Sequence, residues 1–377
     1  MMNIPLMDIG RQYRSIQKDF DSAIRNILDT ATFVGGPDKD AFEKEWAAAT
    51  GAAACVGVGN GTDSLFLIMK ALGLKAGDEV VVPANSFIAS SEAVTMTGAR
   101  PVFVDADPKT FNMDLDRLEE MLQNRSHTKG AKIRALMPVH LYGRIVDMRR
   151  VMALAKTFDL HVIEDTAQAH LARIDGKQAG TWGTAGSFSF YPGKNLGAFG
   201  DAGAVVTSDV DLAQKIRKLA NHGRIGKYDH DIEGYNSRLD SLQAAVLRVK
   251  LKYLQAWSDA RYQKACVYDK LLENGHGLTK PEIPAPGEHV FHLYVVRVEN
   301  RDAVLKKLTE KGVHAGVHYP VTLPNLAAYR YLGHRPEDFP VATRFSQQIL
   351  SLPLFPEITE EEQVYVAGAL KEALKAQ

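Results

Sequence analysis

Short β-branched apolar runs alternate with helical stretches through more than half of the chain, and this pattern constrains the fold more than any other feature of the sequence. The runs fall at 55–58, 79–82, 101–104, 135–139, 161–163, 185–190 and 204–207. A strand with one face in water would alternate apolar and polar residues. Continuous, mostly apolar runs such as these instead indicate strands covered on both sides. The expected architecture is therefore α/β: a mostly parallel seven-stranded sheet with helices on both faces. Ligands of such a sheet sit beyond the carboxyl ends of its strands.

At 377 residues the chain exceeds the size at which a single core keeps growing, so two domains are expected. From Leu239 onward, Leu242, Val246, Val249, Leu254 and Trp257 recur at helical spacing, predicting one long helix that leaves the large domain. After Gly275 the pattern changes to Pro-bearing linkage, a strand at 292–298, a helix at 302–311 and a last helix at 359–376. The reading is a large α/β domain over 1–256 and a smaller C-terminal α+β domain over 257–377.

Lys194 is the residue whose surroundings carry most chemistry. It lies in Ser187-Phe-Ser-Phe-Tyr-Pro-Gly-Lys-Asn-Leu-Gly-Ala-Phe-Gly-Asp-Ala-Gly203, where aromatic strand residues, a Pro-Gly turn and closely spaced glycines hold one amine at a strand end. Burial disfavours a charged amine and lowers its pKa, and the unprotonated form can attack an aldehyde. Upstream, the apolar run at 160–163 delivers Glu164-Asp165 to a strand's carboxyl end, which places Asp165 beside the lysine. A third element, Val56-Gly-Val-Gly-Asn-Gly-Thr-Asp-Ser-Leu65, turns from a strand into a helix expected over 63–72. Free backbone N–H groups at such a helix start, with the Thr62 hydroxyl, make a phosphate cradle. It is neither a P-loop, since no Gly-Lys-Ser/Thr follows, nor a dinucleotide fingerprint, since the third glycine is missing. Each of these three signals is common in isolation.

Composition narrows the partners. Lysine plus arginine and aspartate plus glutamate each number 45, so the formal net charge is zero. No general nucleic-acid binding is expected, and an anionic substrate must be met by local cations. The two cysteines, Cys55 and Cys266, lie far apart without metal-like spacing, which argues against a disulfide framework or a zinc site. The start of the chain has neither a basic segment nor an apolar one of signal-peptide type, and no apolar run approaches a membrane span. A cytoplasmic location is the expectation.

Taken together, the phosphate turn, Val82-Pro-Ala-Asn-Ser-Phe-Ile-Ala89, Glu164-Asp165-x-x-Gln168-Ala169, Lys194 and Gly234-Tyr-Asn-Ser-Arg-Leu-Asp-Ser-Leu-Gln-Ala-Ala245 resemble, in this order, the sugar aminotransferases of the DegT/DnrJ/EryC1/StrS family. The likeness starts near Phe33-Val-Gly-Gly-Pro37 and Phe42-Glu-Lys-Glu-Trp-Ala47 and runs through His318-Tyr-Pro320 to Ser351-Leu-Pro-Leu-Phe-Pro356. The resemblance implies fold type I of the pyridoxal phosphate enzymes, with pyridoxal 5'-phosphate as cofactor. It makes Lys194 the cofactor-bearing lysine and Asp165 the partner of the cofactor's ring nitrogen. Gly61, Thr62 and Ser189 fall at phosphate-binding positions, Phe87 over the ring face, and Gln168 at the cofactor hydroxyl. It also implies a homodimer with shared sites, in which Asn236 reaches the neighbouring subunit's phosphate and Arg238 the amino donor's carboxylate, for which a planar guanidinium is suited.

For the substrate, the resemblance implies L-glutamate as amino donor and a keto-sugar nucleotide as acceptor, used in two half-reactions with double-displacement kinetics. His318 and Tyr319 fall near the sugar pocket, and Arg224, Lys227 or Tyr228 of the basic, glycine-bearing loop at 221–230 would meet the nucleotide diphosphate. Phe190-Tyr-Pro-Gly-Lys-Asn-Leu-Gly197, with Gly234-Tyr-Asn-Ser-Arg238 and Arg248-Val-Lys-Leu251, looks closest to members acting on dTDP-3-keto-6-deoxyhexoses. The His-Pro-x-Lys and Thr-x-Gly-Glu-Gly-Gly patterns more usual for amination at C4 are absent. Two departures stand out: Val321-Thr-Leu-Pro-Asn-Leu326 lacks the usual Pro-Leu-His, and Asp201-Ala-Gly203 replaces Asp-Gly-Gly or Glu-Gly-Gly. The alternatives are a 4-keto sugar nucleotide, a carbocyclic ketone, or a regulatory protein that keeps the fold without turnover. A related dehydratase type has histidine where this chain has Lys194.

Overall fold

In the computed structural model, residues 2–125, 132–273, 275 and 277–375 are described. Twelve strands appear in chain order: β1 Ala54–Val58, β2 Asp78–Pro83, β3 Arg100–Val104, β4 Lys132–Leu136, β5 His161–Asp165, β6 Arg173–Ile174, β7 Lys177–Gln178, β8 Ala185–Ser189, β9 Gly203–Thr207, β10 Leu278–Thr279, β11 Tyr294–Val298 and β12 Ile349–Leu352. Seven of them form the main sheet in the order β1-β9-β8-β5-β4-β2-β3, and β6 and β7 form a separate hairpin. The pairings from β8 through β5, β4 and β2 to β3 are parallel, and β9 alone runs antiparallel to both its neighbours.

Side chains alternate across this sheet as the two-residue period requires. Val80, Val82, Ile163 and Val205 face one side, where they pack with helices Gly61–Ala71, Ala89–Met96 and Val210–Ala220. Val81, Leu136 and Val162 face the other, against helices Leu115–Arg125 and Met148–Phe158. On that second side Ala204 and Val206 pack with Phe42 and Trp46 of helix Pro37–Thr50. Both faces are therefore covered, which is why the strands read as unbroken apolar runs.

The seven expected strands differ from the observed ones by one to three residues at their ends. The largest difference is β4, which stops at Leu136 rather than continuing to Val139. Pro138 supplies no N–H there, and Val139 keeps only an isolated bridge to Asp165. The single long helix expected from Leu239 to Trp257 is broken into Ser241–Leu251 and Leu254–Leu271. The break comes at Tyr253, whose N–H closes a tight turn onto the Lys250 carbonyl at 3.0 Å. Its ring stacks on Trp257 at 5.7 Å and its hydroxyl donates to Asp19 at 2.8 Å. Helical apolar spacing continues through the break, so periodicity alone did not show it.

A second sheet, β10-β11-β12, carries the C-terminal part of the chain. Its core combines Val296, Leu350 and Leu352 with Tyr268 and with Leu370 of helix Glu360–Lys375. The expected end of that last helix at Ala376 lies outside the described residues. The first residues of the chain join this second core: Ile4 is fully buried, pairs with Val313 in parallel and accepts the N–H of His314 at 3.0 Å.

Around Lys194 the aromatic core is dense. The fully buried indole of Trp46 lies edge-to-face with Phe188 at 5.0 Å and with Phe190 at 5.6 Å. Trp46→Ala should therefore destabilise the protein by about 3–5 kcal/mol, read as a lowered denaturant midpoint; a midpoint within error of the parent would show that the core closes over the cavity.

Candidate active site

The carboxyl ends of β1, β5 and β8 and the start of β9 meet at one edge of the main sheet. Val58 and Ser189 both stand opposite Gly203. A Cβ on Gly203 would come within 2.4 Å of the Asn60 backbone, so only glycine allows the turn after β1 to lie this close to β9. Asn60 caps helix Gly61–Ala71, its side-chain oxygen accepting the Asp63 N–H at 2.8 Å. Ser237 braces the turn, accepting the Gly59 N–H at 3.0 Å and donating to Asp63 at 2.7 Å. The helix start thereby presents Gly61 and Thr62, next to Ser189, to a cleft of about 770 Å³.

Asp165 forms part of the wall of this cleft. One carboxylate oxygen accepts the Ser90 hydroxyl at 2.8 Å and the other the Ala167 N–H at 3.2 Å. Ser90 in turn lies 2.8 Å from the Ser86 hydroxyl. The next residue back, Glu164, is wholly buried and accepts backbone N–H groups from Gly180, Trp182 and Gly183 at 2.7–2.8 Å. His140 completes its shell. Its Nδ1 accepts the Val146 N–H at 3.0 Å, so Nε2 carries the proton and donates to Glu164 at 3.1 Å. These bonds fix the end of β5 from the side opposite the cleft.

Lys194 follows a turn in which its own N–H donates to the Tyr191 carbonyl at 2.8 Å. Burial pulls its ammonium down to about 8, against a partial restoring pull from the Asp165 carboxylate. The imidazoles around it are held neutral by the same causes, burial first and the Lys194 charge second. His318 is lowered to about 4, His170 to about 3 and His292 well below its ordinary value. His170 Nε2 must donate to the Ser189 carbonyl at 2.9 Å, which fixes the strand end that carries Ser189.

On the opposite wall, Phe87 is half exposed and its ring meets that of Tyr319 at 5.5 Å. Burial, and next the Asp165 charge, hold the Tyr319 hydroxyl in its protonated form. Gln168 joins the two walls: its carbonyl accepts the Tyr142 N–H at 2.6 Å and its amide donates to the Tyr319 oxygen at 3.3 Å. His318 Nδ1 lies 2.8 Å from the Ser351 hydroxyl on β12.

The cleft thus brings together Lys194, Asp165, Gly61, Thr62, Phe87, Gln168, Ser189, His318 and Tyr319. Asn236, Arg238, Lys227 and Tyr228 do not line it. Asn236 is exposed, Arg238 is half-buried with one guanidinium nitrogen 3.4 Å from the Asn221 oxygen, and Lys227 and Tyr228 stand on an exposed loop. Arg224 donates to the Lys227 carbonyl at 3.0 Å within that same loop. Sequence reasoning missed His292 and Met7, which also line the cleft. His292 begins an expected strand and could have been weighed as a wall residue, whereas nothing local to Met7 signals its position. Ala202, the departure from the usual glycine, is buried with its carbonyl accepting the Phe190 N–H at 2.8 Å, so its small side chain fits.

The donor set fits pyridoxal phosphate: an amine of lowered basicity, a fixed carboxylate across from it, and a helix start with two hydroxyl side chains for a phosphate. Comparison with known proteins agrees. The family model described as the DegT/DnrJ/EryC1/StrS aminotransferase family matches residues 14–371. The chain is 42% identical to the erythromycin biosynthesis sensory transduction protein EryC1 of Saccharopolyspora erythraea, over 98% of this chain and 99% of that protein. It is 41% identical to the UDP-N-acetyl-3-dehydro-alpha-D-glucosamine 3-aminotransferase of Acidithiobacillus ferrooxidans, over 98% of both chains. Identity to the dTDP-3-amino-3,4,6-trideoxy-alpha-D-glucose transaminase of Streptomyces venezuelae is 40%, over 98% of this chain and 96% of that one. Among solved structures, DesV of S. venezuelae in complex with a ketimine intermediate superposes with a TM-score of 0.94 at 39% identity, covering 99% of this chain and 98% of that chain. Among the described residues no helix is long and apolar enough to cross a membrane. The chain belongs to the DegT/DnrJ/EryC1/StrS family of pyridoxal phosphate-dependent aminotransferases.

Proposed function

We propose that this enzyme moves an amino group from L-glutamate to a 3-keto-sugar nucleotide, a dTDP-3-keto-6-deoxyhexose being the acceptor favoured by sequence. The observation that carries the reading is the Lys194 amine, lowered to about 8 and facing Asp165 in one cleft. Preference for C3 over C4 draws support from the names of the relatives in A. ferrooxidans and S. venezuelae, both of which specify position 3. Those names differ in the nucleotide, UDP in one and dTDP in the other.

Pyridoxal phosphate, when bound, supplies an aldehyde that takes up amino groups and a ring that accepts electrons. Gly61, Thr62 and Ser189 hold its phosphate at the helix start, where backbone N–H groups and the helix dipole favour an anion. Asp165 presents a carboxylate whose two oxygens are already oriented by Ser90 and Ala167, as partner for a protonated ring nitrogen. Phe87 and Tyr319, whose rings meet at 5.5 Å, line the cleft and offer an aromatic surface to the cofactor ring. Lys194 Nζ takes and returns a proton, a task served by a pKa near the working pH. His292 and His318, neutral near pH 7, add no competing positive charge beside it.

Asn236 and Arg238, absent from their own chain's cleft, are read as completing the cleft of a second copy in a homodimer. Lys227 and Tyr228 on the exposed loop are read as contacts for the nucleotide, with the Lys227 ammonium 5.4 Å from the Tyr228 ring centre. The regulatory alternative, to which the name of EryC1 lends weight, predicts binding of the cofactor without turnover.

Three outcomes follow from this reading. In the cofactor-free protein, acetylation of Lys194 tracked by mass spectrometry should rise with a midpoint near pH 8, because the amine loses its proton as pH rises through that value. A midpoint shared with the surface lysines would remove the basis for its special role. L-glutamate should shift the absorbance band of the cofactor-loaded protein, and Lys194→Ala should show neither the lysine-linked band nor turnover. A wild-type band that ignores glutamate would point to another donor or to the regulatory reading, and parallel assays of 3-keto and 4-keto sugar nucleotides decide the acceptor. Finally, dissociating and remixing Lys194→Ala with Arg238→Ala should restore about a quarter of the parental activity, since half of the pairs are mixed and each holds one intact site. No recovery in pairs shown to be mixed would place Arg238 outside the partner's site.

A further inference from the structure

The 194–201 loop carries Lys194 near its start and returns to the cleft at Asp201. Between them it crosses helix Ser241–Leu251, and two side chains of that helix, Gln243 and Lys250, meet it from one face because they are two helical turns apart. Gln243 accepts the Phe199 N–H at 2.8 Å and its amide nitrogen lies 3.5 Å from the Phe199 carbonyl. The fit is close at the next residue too, where a Cβ on Gly200 would sit 3.0 Å from the Gln243 nitrogen.

Lys250 is the more unusual of the two. It is 1% exposed, and its ammonium has no hydrogen-bond acceptor among the described residues. It lies 4.7 Å from the ring centre of Phe199 and 5.8 Å from that of Phe20, and those two rings are 4.9 Å apart. Burial pulls it down to about 8, with the Glu357 charge as the opposing influence. A buried ammonium with no acceptor costs stability, and a methionine or leucine of similar shape would remove that cost. What the lysine gains in return is a cation held on the face of Phe199, an attraction that strengthens away from water.

We propose that Gln243 and Lys250 clamp the 194–201 loop through Phe199, and that Lys250 is a positioning residue for the Lys194 amine. The clamp rests on the reading of Lys194 as the cofactor-bearing residue. It holds the backbone of Phe199 by the amide and its ring by the cation, so that the segment between Lys194 and Asp201 cannot slide along the helix.

The test uses the full-length, cofactor-loaded protein with Lys250→Met, Lys250→Arg and Gln243→Leu. Hydrogen exchange over 194–202 should be at least about tenfold faster in Lys250→Met and Gln243→Leu than in the parent. In Lys250→Met, cofactor release should accelerate by a similar factor and the pH midpoint of the lysine-linked absorbance band should move. Lys250→Arg, which keeps a cation over the rings, should bring exchange and cofactor release to within about twofold of the parent and leave the midpoint at the parent's value. Unchanged exchange and an unchanged midpoint in Lys250→Met would overturn the proposal, as would equal losses in the methionine and arginine variants, which would mark Lys250 as packing alone. Should Lys250→Met fail to fold, Gln243→Leu carries the same exchange measurement, since its amide lies at the solvent edge of the helix. If the parent bound no pyridoxal phosphate the functional reading would fail, while the exchange comparison would still judge the clamp.

Discussion

The absence of a side chain at Gly203 is the constraint on which the site's geometry depends. Strand β9 enters the sheet between β1 and β8 at that residue, and the Asn60 backbone fills the space a Cβ would need. From this approach the rest follows. The helix start at Gly61 is brought beside Ser189, the strand end at Ser189 is fixed by His170, and the chain after it turns back within one loop to rejoin β9. Lys194 lies in that loop, so its amine inherits its position from a backbone contact on the neighbouring strand.

Charge in the cleft is arranged with equal economy. Asp165 is held by two hydrogen bonds, three histidines near Lys194 are kept neutral by burial, and the amine itself is eased toward its neutral form. The phosphate of a bound cofactor would instead meet the helix start at Gly61 and Thr62, whose free backbone N–H groups and dipole supply the positive end that the neutral histidines do not. Behind it, Glu164 with four donors makes the end of β5 rigid while its own carboxylate stays wholly buried.

Much of this was legible in the sequence because the signals are local. Buried strands wrote themselves as apolar runs; Asp165 ends one, and the Gly61-Thr62 turn and Lys194 each lie in the segment that follows another. What was not legible depends on pairs far apart in the chain. Gln168 is engaged by Tyr142 and Tyr319, so its expected contact with the cofactor hydroxyl is shared with a bond between the cleft's two walls. The break at Tyr253 is set by Asp19 and Trp257, neither of which interrupts the helical period. Strand β12 and the burial of Ile4 likewise depend on distant partners: β12 pairs with β11 and bridges Gly316, and Ile4 bridges Val313.

The amino-terminal segment links the second core to the cleft in one further way. Ile4 is tied to Val313, Leu6 accepts the Leu354 N–H at 3.2 Å, and Met7 then reaches the cleft beside Gly193, where a Cβ would lie 2.7 Å from the Met7 sulfur. The wall next to Lys194 is thus anchored to the C-terminal sheet by a tether only a few residues long. A change of packing between Ile4 and Val313 therefore reaches the cleft through Met7 three residues later, whereas helix Glu360–Lys375, packed in the same second core, contributes no residue to the cleft's lining.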